Sequence, residues 1–340
     1  VSWLLLGLPV GIVFLYFGSE WMVGGARKLA IRLGVTPFVV GLTVVAMGLS
    51  APEVATTLAS SNNPQLIIGH IIGSNIANIG LAIGVAAIIY PVVCRFKEIK
   101  IELFFLLTAM FIVTVMSLTG SLGAVEAAIL FVALGLFIYN SYRRRRLAGG
   151  GEEEIETCEI KEIKNTPMLK CWKCIMILCA GILFLFLGAT AFVDGAVELA
   201  EMIGMPELMT GLVVVAFGVC LPELCVCIAA ARRKENEILV SNIIGSVVFN
   251  CFFALAFGIL FTSVPVTFYT MVFHLPVMLM MGFLLVFFVR GGNKISRPEG
   301  VVLVSIYITY IALMVIFQQL TEGLVEFEDE VIFVISSLFS

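Results

Sequence analysis

Charge is scarce in this chain. Only 13% of its 340 residues are charged and only two are histidine, while 61% are hydrophobic and the mean hydropathy is +1.11. An ordinary soluble domain is about half apolar and about a quarter charged, so that class is excluded and a polytopic membrane protein is indicated. The two histidines, His70 and His274, stand in no H-E-x-x-H pattern, so a zinc peptidase lacks its ligands. Ser50 has no His or Lys in its own motif to activate it, so an intramembrane serine enzyme lacks its base. Neither an enzyme nor a bound cofactor is therefore expected. The nine cysteines lie mostly inside apolar runs and read as small buried residues. Cys171 and Cys174 form a C-x-x-C with no second pair and no neighbouring His, too little for a zinc or redox site. The first segment lacks a charged n-region and a cleavage pattern, and reads as a span.

Apolar runs are what the chain does have. Ten stretches have the length needed to cross a hydrocarbon core of about 30 Å: 3–24, 37–60, 65–91, 101–119, 122–141, 172–199, 207–230, 238–261, 267–290 and 300–318. All twenty Lys and Arg fall in alternate connections: Arg27 to Arg32, Arg95 to Lys100, Arg143 to Lys173, Arg232 to Lys234 and Arg290 to Arg297. The intervening "SSNNP", "TGSLG", "AEMIGMPE" and "TSVPV" hold none. Bases stay on the cytoplasmic side, which predicts external termini, a cytoplasmic central loop and a plasma-membrane location. The bilayer is the expected environment; no nucleic acid or obligate protein partner is indicated.

The chain also repeats itself. A shift of 170 residues lays "FLYFGSEWMVGGARKLAIRLG" (14–34) on "FLFLGATAFVDGAVELAEMIG" (184–204), and "GLTVVAMGLSAPE" (41–53) on "GLVVVAFGVCLPE" (211–223). A shift of 172 lays "IIGSNIAN" (71–78) on "IIGSVVFN" (243–250). With five spans in each half, the second half must lie upside down relative to the first. The predicted fold class is therefore all-α, ten transmembrane helices in two inverted five-helix repeats: 1–142, a linker at 143–171, a second repeat at 172–320 and an external tail at 321–340.

Inverted repeats of this kind build alternating-access transporters, whose broken helices meet near the midplane. Gly48 with Pro52 and Gly218 with Pro222 predict two such breaks, because proline lacks an N–H and clashes with the preceding turn. Carbonyls around Ala46, Leu49, Ala216 and Val219 would be freed, which is tolerable at membrane depth only where they line a cavity. Glu53 and Glu223 are repeat mates, each with no base in its own span. An acid there costs about 2.5–3.5 kcal/mol on insertion scales and marks a functional site. A protonated, hydrogen-bonded Glu would account for one such acid but not for a matched pair. Two carboxylates can offset one divalent ion, and oxygen ligands of this kind favour Ca²⁺. Ser74 with Asn78, and Ser246 with Asn250, are four residues apart and share a helix face; helix packing is their alternative role.

The paired G-x-S-x-P-E and GS-x-x-x-N motifs resemble the alpha repeats of the calcium/cation antiporter superfamily, and most of all those of prokaryotic Na⁺/Ca²⁺ exchangers. The resemblance covers both repeats. It implies Glu53 and Glu223 as central ligands of Ca²⁺ and Na⁺, Ser50, Ser74 and Ser246 as hydroxyl ligands, and Asn78 and Asn250 as flanking amides. Main-chain carbonyls of Ala46, Leu49, Ala216 and Val219 would complete the shells. The chain departs from the family pattern in having Leu49 and Val219 in place of threonines, Cys220 in place of a serine and Asn250 where many relatives have aspartate. A thiol is a softer ligand than a hydroxyl, so these departures are expected to spare calcium and weaken sodium. The linker is too short for the regulatory domains of animal exchangers.

The resulting expectation is a secondary antiporter exchanging Ca²⁺ for Na⁺. A Ca²⁺/H⁺ antiporter on the same fold is the alternative, and a passive calcium channel a more distant one. His70, near the expected outer mouth, reads as a satisfied helix-end histidine, with modulation by pH as its other role. The final "VIFVISSLFS" is too short to span and is expected along the outer interface.

Overall fold

A computed structural model describes residues 3–59, 64–148, 171–203 and 216–338, and these are almost entirely helical. The helices are α1 (Gly7–Leu33), α2 (Pro37–Val40), α3 (Ala46–Leu49), α4 (Ala51–Ala59), α5 (Pro64–Ala77), α6 (Gly84–Ile89), α7 (Phe96–Ser117) and α8 (Ala124–Ala148) in the first half. The second half holds α9 (Cys171–Met202), α10 (Ala216–Val219), α11 (Leu221–Arg232), α12 (Asn236–Phe249), α13 (Leu255–Leu260), α14 (Leu275–Gly292) and α15 (Arg297–Leu338). Among the described residues, nine helical segments are long and apolar enough to cross a membrane. They correspond to nine of the ten expected spans. The remaining one, 207–230, is described only from Ala216 onward, as α10 and α11.

Several helices outrun their apolar stretches. The first span was expected to stop at residue 24, yet α1 continues through the basic residues to Leu33 and ends on Gly34 at φ 66°. Helicity needs only satisfied backbone bonds, whereas the apolar run measures the hydrocarbon alone. With 27 and 32 residues, α1 and α9 are about 40 and 48 Å long at 1.5 Å per residue, so they tilt or project past the core. The last helix differs most: α15 runs on from the expected span to Leu338 as one 42-residue element.

Small residues let α1 and α9 cross closely and antiparallel. A Cβ on Gly7, Gly11 or Gly18 would strike the backbone of Ala191, Gly188 or Leu185, and one on Gly181 would lie 2.7 Å from the Met22 nitrogen. Such stripes drive helix association in lipid, where apolar burial gives no advantage. Among the described residues the most buried spans are those that carry the GS-x-x-x-N motif, Leu66–Ile89 and Asn236–Leu260, around which the others pack.

Among the described residues four two-residue strands, absent from the all-α expectation, join the halves at the two ends. β1 (Val92–Val93) pairs antiparallel with β4 (Lys294–Ile295), and β2 (Ser121–Leu122) with β3 (Val264–Pro265). The Cys94 N–H donates to the Asn293 carbonyl at 3.0 Å, and the Val266 N–H to that of Gly120 at 2.9 Å. Around β1·β4 the basic connections meet: Arg27 pairs with Glu235 at 2.8 Å, Arg233 with Glu20, Lys234 lies over the Tyr90 ring, and the Arg297 guanidinium donates to the Ile89 carbonyl. The connections at β2·β3 contain no base.

Candidate cation site

The two spans that carry the paired proline and glutamate break at the same place. Ser50 (φ −82°, ψ 5°) separates α3 from α4, and Cys220 (φ −90°, ψ 0°) separates α10 from α11. Both occupy the bridge region, where a helix is interrupted without leaving its general course. Pro52 and Pro222 fall in the first turn of the restarted helices, where a missing N–H costs no intrahelical bond. Glu53 and Glu223 share that turn, close to the positive end of a helix dipole. Gly48 and Gly218 let the breaks lie against α9, since a Cβ on either would overlap Ile182 or Val193.

Proline removes the N–H that would reach four residues back, to Gly48 and Gly218. The Ala46 carbonyl, expected to be freed, instead accepts the Ser50 N–H at 2.9 Å, which leaves it its second lone pair. Ala46 and Leu49 are fully buried before the first break; Ala216 and Val219 open and close the short helix before the second.

The second motif brings its polar groups to the same place. The Ser74 hydroxyl donates to Glu53 Oε1 at 3.4 Å, and the Asn250 amide, from the other half, donates to Ser74 Oγ at 3.2 Å and to Asn75 Oδ1 at 3.4 Å. Glu53 and Glu223 lie within electrostatic reach of one another, and the Cys220 thiol within reach of both. Asn78 and Asn250 each open a π turn, Asn78–Ile83 and Asn250–Ala254. Such turns shift the helix register and recur at functional sites.

These groups are shut away from solvent and largely unsatisfied. Ser50, Ser246 and Asn250 are 0% exposed; Glu53, Glu223 and Asn78 are 1% exposed. Among the described residues no hydrogen bond reaches Ser50 Oγ, Glu53 Oε2, either Glu223 oxygen, either polar atom of the Asn78 side chain, Ser246 Oγ or Asn250 Oδ1. A buried polar atom left unpaired costs about 1–3 kcal/mol, so this concentration calls for an occupant that acceptors can surround. No three His, Cys, Asp or Glu side chains among the described residues group tightly enough to hold a metal alone. A cation here would draw on hydroxyl, amide and carbonyl oxygens as well, a donor set suited to hard ions.

Two participants escaped the sequence reading. The Asn75 amide donates to Cys251 Sγ at 3.2 Å while its oxygen receives Asn250. The Thr57 hydroxyl donates to the Glu53 carbonyl at 2.6 Å. Asn75 breaks the repeat, facing Val247 in the alignment, and Thr57 is four residues past Glu53 on the same helix face; only that spacing could have pointed to it. His70, expected to be satisfied, has a buried Nε2 without a hydrogen-bond partner among the described residues.

Comparison with known proteins finds similar chains over most of the sequence. The sodium/calcium exchanger protein family matches residues 3–143 and 173–316. The sodium/calcium exchanger MaX1 of Methanosarcina acetivorans is 31% identical over 354 residues, covering 90% of this chain and 97% of that protein. An uncharacterised membrane protein of Methanocaldococcus jannaschii is 35% identical over 305 residues, covering 89% and 95%. The solved structure of the sodium-calcium exchanger NCX_Mj soaked with Na⁺ and Ca²⁺ superposes with a TM-score of 0.78 at 30% identity, over 92% of this chain and 98% of that one.

Proposed function

We propose, from the premise that this chain belongs to the sodium/calcium exchanger protein family, that it is a secondary antiporter exchanging Ca²⁺ for Na⁺ by alternating access. The observation that carries this reading is the buried, unsatisfied oxygen cluster around two acids, assembled from both halves of the chain. Glu53 and Glu223 are the central ligands. Ser50, Ser74, Ser246, Asn78 and Asn250 supply further oxygens, and the carbonyls of Ala46, Leu49, Ala216 and Val219 line the breaks. Two carboxylates neutralise one Ca²⁺; with the divalent ion gone, monovalent ions must replace its charge, and that mutual exclusion couples the two flows.

The two halves act as inverted repeats of five spans, so each offers the site to a different side. In support, β1 and β3, like β2 and β4, stand in corresponding positions of the two halves yet at opposite ends of the molecule. The basic end is cytoplasmic and the membrane is the plasma membrane, as the placement of Lys and Arg favours.

The test is ⁴⁵Ca²⁺ flux in proteoliposomes under an imposed Na⁺ gradient or, separately, a pH gradient, with a thiol label in the 143–173 loop reporting orientation. Uptake should follow the Na⁺ gradient. Replacing Glu53 or Glu223 by Gln should lower exchange on the order of 100-fold, the worth of about 3 kcal/mol of charge-assisted contact. Exchange at the wild-type rate in either variant overturns the site. Flux driven by the pH gradient alone transfers the coupling to protons.

A further inference from the structure

The motif helices carry more polar residues than the site uses. On α5 and the π turn after it, His70, Ser74 and Asn78 follow at intervals of four; on α12 and its π turn, Asn242, Ser246 and Asn250 do the same. That interval keeps each trio on one helix face. Four of the six belong to the cluster described above. His70 and Asn242 do not, and they are each other's counterparts in the two halves.

Each stands one turn outside the site, and the two lie towards opposite ends. α5 packs against β3 and runs from the β2·β3 end to the site, so His70 precedes Ser74 on that side. α12 begins beside Glu235, the partner of Arg27, so Asn242 precedes Ser246 on the basic side. The acid-bearing helices overhang in the same way. Thr57, one turn beyond Glu53, is buried, and Cys227, one turn beyond Glu223, lies beside the Asn242 amide.

Packing gives neither residue a reason to be polar. Asn242 is 0% exposed and, apart from the Cys227 thiol, its amide has no hydrogen-bond partner among the described residues. His70 Nε2 is likewise buried and unpartnered. Buried amide and imidazole atoms are normally paired, so an unpaired one at each flank of a cation cluster points to a ligand that comes and goes. Their surroundings differ in an informative way. Next to His70, Leu66 is 58% exposed and Gly69 is exposed, whereas the counterparts Ile238 and Ser241 are 0% exposed. One flank opens to the surface and the other is covered.

We propose that His70 and Asn242 are the ion's outermost protein contacts on two separate access routes, His70 at the β2·β3 end and Asn242 at the basic end. Each accepts a hydrogen bond from, or replaces, a hydration water of the incoming cation before the carboxylates take it. The inference rests on the exchanger reading and adds to it a route and a residue for each side.

The test uses oriented proteoliposomes with Ca²⁺ varied on one side at a time. His70→Leu should raise the half-saturating Ca²⁺ at the β2·β3 end about fivefold, the worth of one hydrogen bond, and leave the basic end unaltered. Asn242→Leu should do the reverse. His70→Asn and Asn242→Ser, which restore a polar atom, should recover most of the lost affinity. Should a leucine variant fail to fold, His70→Ala and Asn242→Ala carry the same side-specific expectation, with equilibrium ⁴⁵Ca²⁺ binding in detergent reporting an intact site. Equal shifts on both sides, or a slower turnover with neither affinity altered, would show a structural role and overturn the inference while exchange by the wild type stands. A wild type that exchanges no Ca²⁺ overturns both readings.

Discussion

Cys220 is the residue that most distinguishes the two otherwise matched breaks. Its partner Ser50 offers a hard hydroxyl oxygen, while Cys220, 5% exposed and within electrostatic reach of both acids, offers sulfur. On the proposed reading calcium would be held chiefly by the two carboxylates and would lose little by this, whereas sodium would lose one of its good ligands. Cys220→Ser is therefore expected to strengthen Na⁺ competition against Ca²⁺ roughly fivefold, the equivalent of about 1 kcal/mol, with Ca²⁺ affinity in the absence of Na⁺ unaltered. Ca²⁺ uptake titrated with Na⁺ in both proteins measures it, and an unchanged titration would place the thiol away from the ions. The pair Glu53 and Glu223 was legible in the sequence because an acid beside a proline in an apolar run has few structural uses. Asn75 was not, because its bonds to Cys251 and Asn250 join residues about 175 positions apart and leave no local trace.

At the scale of elements, α1 and α9 depend on missing side chains. A methyl group on Gly181 would sit 2.7 Å from the Met22 nitrogen and 2.9 Å from the Gly18 oxygen, backbone atoms that cannot swing aside. Gly181→Ala should force the two helices apart and cost about 1–3 kcal/mol, as overpacking does. Thermal unfolding in detergent would show a lowered midpoint; an unchanged one would mean that the crossing is loose. Nine of the ten expected spans were legible among the described residues, since each needs an apolar run of fixed length, and so were the breaks, since glycine and proline mark them. The π turns at Asn78–Ile83 and Asn250–Ala254 were not: one extra residue in a helical turn alters neither composition nor period enough to be read. The strands were hidden for a different reason. Two residues form a strand only because another loop arrives beside them, and that loop lies far along the chain.

On the scale of the whole molecule, the strand pairs constrain how the protein can move. Each ties a connection of the first half to one of the second, and there is one at each end. Two halves rocking against one another as rigid jaws would have to pull one pair apart in every half-cycle, surrendering its backbone hydrogen bonds. The helices so tied, α6, α7, α8, α13, α14 and α15, make a frame closed at top and bottom. Neither α1 nor α9 is flanked by such a strand among the described residues, and α9 lies directly across both breaks, on Gly48 and Gly218. The motion compatible with this arrangement is that of a bolt sliding in its housing. Cysteines at Val93 and Lys294, or at Ser121 and Pro265, in a Cys94→Ala background would therefore close into disulfides that leave ⁴⁵Ca²⁺ exchange within about twofold of the reduced protein, a free-energy change of under 0.5 kcal/mol. Arrest of exchange on oxidation, reversed by reductant, would show instead that the frame itself opens.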